Sequence, residues 1–449
     1  MGDTIAAIST AIGEAAISVL RLSGPGALEI AGKVFRGRKD VAQLRARAVH
    51  LGAAVDADGA VIDHVLLIIF RGPASYTGED LVELHCHGGV LVTQKMLGAL
   101  LHHGARHADA GEFTQRAFLN GKMDLTQAEA VMDLIHAHST LAMRAAHEQL
   151  EGVIGREAEA MREGLIQVLA HIEAYIDFPE EDITPDTGEA MIARIDDLRA
   201  RAAKLLATSE NGRILRSGAR TVICGQPNVG KSSLLNLLAG FERAIVSPVA
   251  GTTRDTIEEF IQVHGIPLRL VDTAGLRESA DAIEQSGIER TSREVERADL
   301  ILEVVDASVP RDLARRVAIG SESAARRIVV LNKSDLVRDA SWDDEKGIAV
   351  SCATGAGLDE LRAAIRDLVL HGGPLASEHP VAINARHKSC FERVAAQLEA
   401  ARSALLGHIA PEFVAFELRE ALEALGEVTG RVDVEQILDV IFSQFCIGK

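Results

Sequence analysis

The sequence predicts a multidomain α/β and α protein. An N-terminal α/β domain is followed by a discontinuous helical domain, and a doubly wound, mostly parallel α/β domain is inserted between its two segments. Three observations predict this. The chain has 449 residues, enough for two to four domains. Between residues 216 and 370, β-runs ("RTVICG", "TIEEFIQV", "PLRLVDT", "LILEVVD", "RIVVLNK", "GIAVSC") alternate with helical stretches, the pattern of a largely parallel sheet. On either side of that stretch, apolar residues recur at helical spacing.

Residues 1–118 read as the N-terminal domain, with "AAISVLRLSG" and "VIDHVLLIIF" as strands and "VLVTQKMLGALLHHG" as a helix closed by Gly104. The first helical segment takes 119–215. It opens on "LTQAEAVMDLI", where Thr126 stands three residues ahead of Glu129 as a capping box. Val131, Leu134, Ile135 and His138 follow at helical spacing. Helix-favouring composition runs to Tyr175, "DFPEEDITPDTG" (177–188) breaks it, and another helix covers roughly 189–210. The inserted domain takes 216–372. The second helical segment, 373–449, carries one stripe of Val414, Leu418, Leu422 and Leu425 and another of Val434, Ile437, Leu438, Ile441, Phe442 and Phe445.

Composition excludes several classes. Hydrophobic residues make up 47% and charged residues 25%, as in globular proteins. The longest run of large apolar residues, "VLLIIF" (65–70), is too short to span a bilayer. "MGDTIAAIST" has an early acid and no basic region, unlike a secretory signal, and Ala6 stands where myristoylation wants Ser or Thr. A cytoplasmic protein without membrane attachment is expected. Cysteines 86, 224, 352, 390 and 446 form no C-x-x-C pair, which argues against a disulfide framework and a zinc site. The net charge of −18 repels phosphate, so nucleic acid needs a local basic patch such as "RARAVH" (45–50), a type of stretch that is more often solvated surface.

The inserted domain carries the clearest chemistry. "GQPNVGKSS" (225–233) matches G-x-x-x-x-G-K-[ST] after a strand and before a helix. Gly225 and Gly230 let the backbone wrap phosphates, and the loop amides and helix N-terminus supply positive potential. Lys231 reaches the β- and γ-phosphates and Ser232 ligates magnesium. In "LVDTAG" (270–275), Asp272 is placed to hold magnesium through water and Gly275 to offer its amide to the γ-phosphate. In "NKSD" (332–335), Asp335 can accept from both N1–H and the exocyclic amine of guanine, which selects GTP over ATP. "SCATG" (351–355) takes the place of a further base-contacting loop. All four motifs, in order and at strand C-termini, indicate a Ras-like P-loop G domain.

"GTTRD" (251–255) holds the switch I position, with Thr253 as a magnesium ligand. Where Ras-type enzymes carry a water-orienting Gln, this chain has Leu276. Another residue must orient water, and Asp281 and Glu284 are the candidates. "LHCHGG" (84–89) places His85 and His87 on one strand face and Cys86 on the other, a poor start for a tetrahedral metal site. Asp124 reads as a helix N-terminal charge. Near the C-terminus, Leu438, Phe442 and Cys446 fall at i, i+4 and i+8, so periodicity reads Cys446 as a core residue. "CIGK" lacks the residues of a prenylation box.

"GQPNVGKSSLLN", "IVSPVAGTTRD", "DTAGLRES", "NKSD" and "FCIGK", with the N-terminal "DTIAAIST", "SYTGEDLVELHCHGG" and "GEFTQRAFLNGKMDLTQAEA", together resemble the MnmE (TrmE) tRNA-modification GTPase family over essentially the whole chain. The resemblance implies a homodimer joined through a tetrahydrofolate-binding N-terminal domain. It implies an FAD-containing MnmG (GidA)-type partner in a heterotetramer, and tRNA as substrate. Together these install an aminomethyl or carboxymethylaminomethyl group at C5 of the wobble uridine. It makes Glu284 the carboxylate that orients water. It makes Asn228, Ser247, the Val249 backbone and Thr252 potassium ligands, so that G domains pair and activate each other. The implied GTP-binding set is Asn228, Val229, Gly230, Lys231, Ser232, Ser233, Ser247, Thr252, Thr253, Asp272, Thr273, Ala274, Gly275, Asn332, Lys333, Asp335, Ser351, Cys352 and Ala353. Magnesium falls to Ser232 and Thr253.

Arg21, Glu83, Lys122 and Lys449 match positions that contact 5-formyltetrahydrofolate. Lys449 would bring the terminus to the N-terminal domain, across the dimer, with Cys446 lining the modification site as wall or as nucleophile. This chain departs from the family at Ser247, where Thr is common, and at Cys352, where Ala is usual. The alternative function is an Era-like G-protein switch in ribosome assembly or signalling. The P-loop and base motifs fit both readings, and the N-terminal 120 residues with "CIGK" favour the first.

Overall fold

A computed structural model describes residues 2–177, 189–241, 259–271, 295–313, 326–370, 381–432, 438, 441–443 and 445–449. It divides into two compact units, Met1–Met132 with Gly426–Lys449, and Asp133–Leu425.

The first unit is built on β1 (Ile5–Ile8), β2 (Ala15–Ser23), β3 (Phe35–Arg36), β4 (Val49–Val55), β5 (Val61–Phe70), β6 (Leu81–Gly88) and β7 (Arg106–His107). They form one sheet in the order β3-β4-β5-β6-β2-β1-β7. β1 and β7 are parallel and the other neighbours antiparallel. Alternation decides the faces. Val65, Leu67 and Ile69 of β5 are fully buried beneath helices Ala27–Val34 and Val90–His102, which contribute Ile30, Val34, Met96 and Leu100. The second helix closes as expected: Gly104 takes φ +105°, and Ala105 N–H donates to the Leu100 carbonyl at 3.2 Å.

The opposite sheet face is covered at one end by helix Glu112–Leu119, whose Phe113 packs on Ile5, Ala7 and Ala108. The rest is bare. Leu51 pairs with Leu66, Leu66 with His85 and His85 with Val19, so they share that face. Leu51 is 71% exposed, Val49 and Ile17 59%, and Leu66 38%.

Three sequence expectations are corrected. Helix Leu125–Ile135 is capped by Asp124, whose Oδ1 accepts from Gln127 N–H at 2.9 Å, while Gln127 Oε1 accepts from Asp124 N–H at 3.0 Å. Asp124-x-x-Gln127 is therefore the capping box, and Thr126 lies inside the first turn, donating to Asp124 at 2.6 Å. His138 lies beyond that helix and stacks on Phe260, with ring centroids 4.5 Å apart. Cys446 does not continue the apolar stripe. Leu438, Phe442 and Phe445 pack on Leu125, Ala128 and Met132, whereas Cys446 is exposed and non-helical. Gly448 (φ +97°) turns the tail, and a Cβ there would overlap the Ile8 carbonyl.

The second unit holds β8 (Ala219–Cys224), β9 (Glu259–Val263), β10 (Ile266–Leu270), β11 (Leu300–Asp306), β12 (Arg326–Asn332) and β13 (Ile348–Ala349). Their order is β13-β12-β11-β8-β10-β9, parallel except for β9. β11 is buried from Leu300 to Val305, as a strand covered on both faces must be. The core under the sheet also takes Ala142 and Ala145 from helix Thr140–Leu150 and Ile214 and Leu215 from helix Ser209–Ser217.

Helix Glu189–Leu206 packs on both Val153–Asp177 and Ala385–Leu406. Arg201–Glu157 (2.7 Å), Arg402–Asp196 (2.8 Å) and Arg419–Glu173 (2.7 Å) link the helices at their surfaces, the last from helix Pro411–Thr429.

Candidate functional site

β8, the first strand of the parallel sheet, lies between β11 and β10, so the chain departs from it in both directions. Such a switch point opens a crevice at the strand C-termini. Residues 225–230 follow β8 there and lead into helix Lys231–Phe241. Gly225 (φ +146°), Asn228 (φ +65°) and Gly230 (φ +101°) bend the loop. At both glycines a Cβ would overlap a neighbour, the Val304 carbonyl at Gly225 and the Asn332 amide at Gly230. Lys231 Nζ donates to the carbonyls of Gly225 (2.8 Å) and Gln226 (2.6 Å), and burial holds the ammonium below the ordinary lysine range. Ser232, Ser233 and Asn228 are exposed, and Val229 is buried. Beneath the loop, burial pushes the Cys224 thiol up to about 12, which leaves it inert.

β12 delivers Asn332 to the same edge, since Asp306 and Asn332 end β11 and β12 in register. Asn332 is buried. Its Nδ2 donates to the Val229 carbonyl at 2.7 Å and its Oδ1 accepts from Cys352 N–H at 3.1 Å. Lys333 (φ +64°) pairs with Asp306 at 2.5 Å. Burial opposes ionisation of Asp306, but bonds from Lys333 and Ser308 outweigh it and hold the carboxyl below its usual range. Asp335 Oδ1 accepts from Ser351 Oγ at 2.6 Å, and Ser351 Oγ also accepts from Thr354 N–H at 3.2 Å. Asn228, Val229, Gly230, Lys231, Ser232, Ser233, Asn332, Lys333, Asp335, Ser351, Cys352 and Ala353 therefore stand on one edge. Ser247, Val249, Thr252, Thr253, Asp272, Thr273, Ala274, Gly275, Leu276, Asp281 and Glu284 lie outside the described residues.

In the N-terminal unit, Arg21 and Glu83 face each other across β2 and β6. Arg21 Nε and Nη2 donate to Glu83 Oε1 at 3.1 and 2.8 Å. The guanidinium lies 5.5 Å from the Tyr76 ring and 5.7 Å from that of Phe113, within cation–π range. Tyr76 OH bonds Thr114 Oγ1 at 2.9 Å, and burial raises the phenol above its usual range. The chain's own terminus docks here. Ile447 bridges Ala110, and Phe113 N–H donates to the Lys449 carbonyl at 3.2 Å. The tail therefore reaches the N-terminal domain of its own chain, where the sequence reading placed it across a dimer. Lys122 Nζ donates to the Pro73 carbonyl at 3.0 Å.

Sequence reasoning missed Tyr76 and Phe113. The signal was present, since the chain has only two tyrosines and one stands in "SYTGED". It also missed Arg116, which is 3% exposed and paired with Glu112 (2.8 Å), Asp3 (2.8 Å) and Glu79 (3.3 Å). Glu112 and Arg116 at i and i+4 were the visible clue. The histidine-rich strand has its side chains otherwise engaged. His87 Nδ1 bonds Asp63 at 2.8 Å, and Cys86 is buried on the other face, its thiol pushed up to about 11 by burial. Among the described residues no three His, Cys, Asp or Glu are grouped to hold a metal ion. No described helix is long and apolar enough to cross a membrane.

Residues 4–122 match the family described as the GTP-binding protein TrmE N-terminus, and residues 125–446 match the MnmE helical domain. A protein of Akkermansia muciniphila named tRNA modification GTPase MnmE is 52% identical over 449 residues, covering 99% of each chain. A protein of the same name from Geobacter sulfurreducens is 43% identical over 453 residues, covering 100% of this chain and 99% of that one. Among solved structures, the FeoB G-domain from Methanococcus jannaschii is 26% identical over 34% of this chain and 97% of that one, with a TM-score of 0.25. The chain belongs to the MnmE (TrmE) family.

Proposed function

We propose that this protein is a GTPase of tRNA modification, which installs an aminomethyl or carboxymethylaminomethyl group at C5 of the wobble uridine in the cytoplasm. It does so with an FAD-containing MnmG (GidA)-type partner in a heterotetramer. The observation that carries the nucleotide half is the edge-on assembly in which Asn332 joins the Val229 carbonyl to Cys352 N–H while Ser351 holds Asp335. A carboxylate so fixed can accept two guanine protons at once, and adenine offers no such pair. The tRNA half is supported by relatives named for tRNA modification and matching the full length of the chain.

Within this reading the loop amides of 225–230 and the N-terminus of helix Lys231–Phe241 cradle phosphates, and Lys231 exchanges its carbonyl partners for them. The exposed Ser232 hydroxyl, with Thr253, suits magnesium, which favours oxygen ligands and when bound offsets phosphate charge. Asn228, Ser247, the Val249 carbonyl and Thr252 offer oxygens for potassium, which when bound supplies positive charge where other GTPases use an arginine finger. Glu284 orients the attacking water.

Arg21, Glu83, Lys122 and Lys449 are assigned to 5-formyltetrahydrofolate, a source of the one-carbon unit. Arg21–Glu83 beside two aromatic rings suits a flat heterocycle with donors and an anionic tail. Cys446 is exposed in the tail that docks on Ala110 and Phe113, available for chemistry. The bare sheet face of Ile17, Val49, Leu51 and Leu66 supports homodimerisation through this domain.

Competition of GTP and ATP against a fluorescent GTP analogue tests the reading. GTP is expected to bind about 100-fold or more tighter, a preference that Asp335→Asn removes. Equal affinity for the two nucleotides would overturn it.

A further inference from the structure

A chain with a net charge of −18 binds a polyanion only where the sign reverses locally. One segment of the first unit does this. Residues 33–47 hold six cations, Lys33, Arg36, Arg38, Lys39, Arg45 and Arg47, against a single carboxylate, Asp40. All six cations are exposed. The fold gathers them at one edge. Lys33 lies in the last turn of helix Ala27–Val34, and Arg36 on β3, the edge strand of the seven-stranded sheet. Val41 then anchors the segment in the core with Ile30 and Val34. Arg71 Nη2 donates to the Ala42 carbonyl at 3.1 Å, and Arg47 N–H to the Ile69 carbonyl at 2.8 Å. Helix Val90–His102 ends near the same cations. Burial, and after it His102, Lys33 and Arg36, hold His103 below the ordinary histidine range.

This charge is not cancelled. Lys33 pairs with Glu29 at 2.8 Å, but among the described residues the other five cations make no ion pair. Arg36 Nη1 donates to the Gly32 carbonyl at 3.0 Å and Arg47 Nη2 to the Ala74 carbonyl at 2.9 Å. Such neutral partners steady a guanidinium and leave its charge intact. Elsewhere exposed arginines meet carboxylates, as Arg213 meets Glu210 and Asp299, each at 2.7 Å. The segment's one aromatic residue, Phe35, is buried, so no ring is offered for a base to stack on. Free cations without stacking platforms suit phosphates, not bases.

We infer that the Lys33–Arg47 edge binds the phosphate backbone of a folded RNA, fixing its position without reading its sequence. The inference rests on the function proposed above, in which that RNA is tRNA. The stretch "RARAVH" is then part of a binding edge that also takes cations from the end of a helix and from an edge strand.

Anisotropy titration of fluorescein-labelled bulk tRNA with the full-length protein, repeated between about 50 and 200 mM potassium chloride, tests it. Arg38→Ala with Lys39→Ala and Arg45→Ala removes three cations whose side chains bond nothing among the described residues. This variant is expected to bind about tenfold or more weakly at the lower salt, with a slope of log Kd against log salt smaller by about two to three. GTP hydrolysis by the isolated protein should be unchanged. Arg38→Lys with Arg45→Lys is expected to bind like the native chain, because a point charge suffices for phosphate. Native affinity and slope in the triple alanine variant would overturn this surface and leave the tRNA reading standing. Absence of tRNA binding by the native protein would also overturn the surface. Fully modified wobble uridine in cells lacking the protein would overturn the proposed function, and the tRNA assignment with it.

Discussion

Asn332 Nδ2 donates to the Val229 carbonyl at 2.7 Å, while its Oδ1 accepts from Cys352 N–H at 3.1 Å. One buried carboxamide thereby holds the phosphate loop, the "NKSD" turn and the "SCATG" loop in register. Under the proposed assignment, base selection and phosphate binding share a single support.

Asn332→Ala is expected to leave a buried carbonyl and a buried amide without partners, at a cost of about 1–3 kcal/mol. GTP affinity should fall by roughly 5- to 150-fold, as read by fluorescence titration. Native affinity in a folded variant would show that the loops hold their places without it.

Gly448 sits at φ +97° with no room for a Cβ beside the Ile8 carbonyl. Gly448→Ala should cost about 1–3 kcal/mol locally and release the tail from Ala110 and Phe113. Wobble-uridine modification should be lost while GTP hydrolysis persists. Cys446→Ser makes a cleaner comparison because Cys446 is exposed. Loss of modification in that variant reports chemistry, since little packing is removed.

Glu112 is buried, which opposes ionisation. Bonds from Arg106, the Asp109 amide and Arg116 more than reverse this and lower its pKa below 4.5. A carboxyl lowered on folding contributes stability above its unfolded value and loses it as pH falls through the folded one. The N-terminal unit should therefore lose stability on acidification below about pH 4.5. Glu112→Gln should be less stable at pH 7, with a flatter acid limb in thermal melts below about pH 4.5. An unchanged acid limb would remove Glu112 from the account.

GTP hydrolysis should be faster in potassium than in sodium salts at equal ionic strength. Glu284→Ala should abolish turnover while retaining GTP binding. Equal rates in the two salts would remove the potassium assignment, and unchanged turnover in the variant would remove the role of Glu284.

The gathering of residues 225–233, 332–335 and 351–353 on one sheet edge was legible in the sequence, because glycines, a lysine and an aspartate at fixed spacing after strands have few other uses. Residue spacing could not choose between two overlapping capping frames. Asp124-x-x-Gln127 and Thr126-x-x-Glu129 both fit, and the structure uses the first. Periodicity also carried Cys446 into the core, because it records spacing and is blind to where a helix ends. Here the chain leaves the helix, Phe445 takes the buried place and Gly448 turns the tail. The Arg21–Tyr76–Phe113 grouping depends on strand register between distant segments, which local sequence does not encode.

We propose above that this GTPase modifies the wobble uridine of tRNA. Mass spectrometry of that nucleoside tests it most directly, in cells lacking the protein and in cells complemented with the native chain or with Lys231→Ala. The C5 modification should vanish on deletion, return with the native chain and stay absent with Lys231→Ala. A fully modified uridine in the deletion strain would contradict the account.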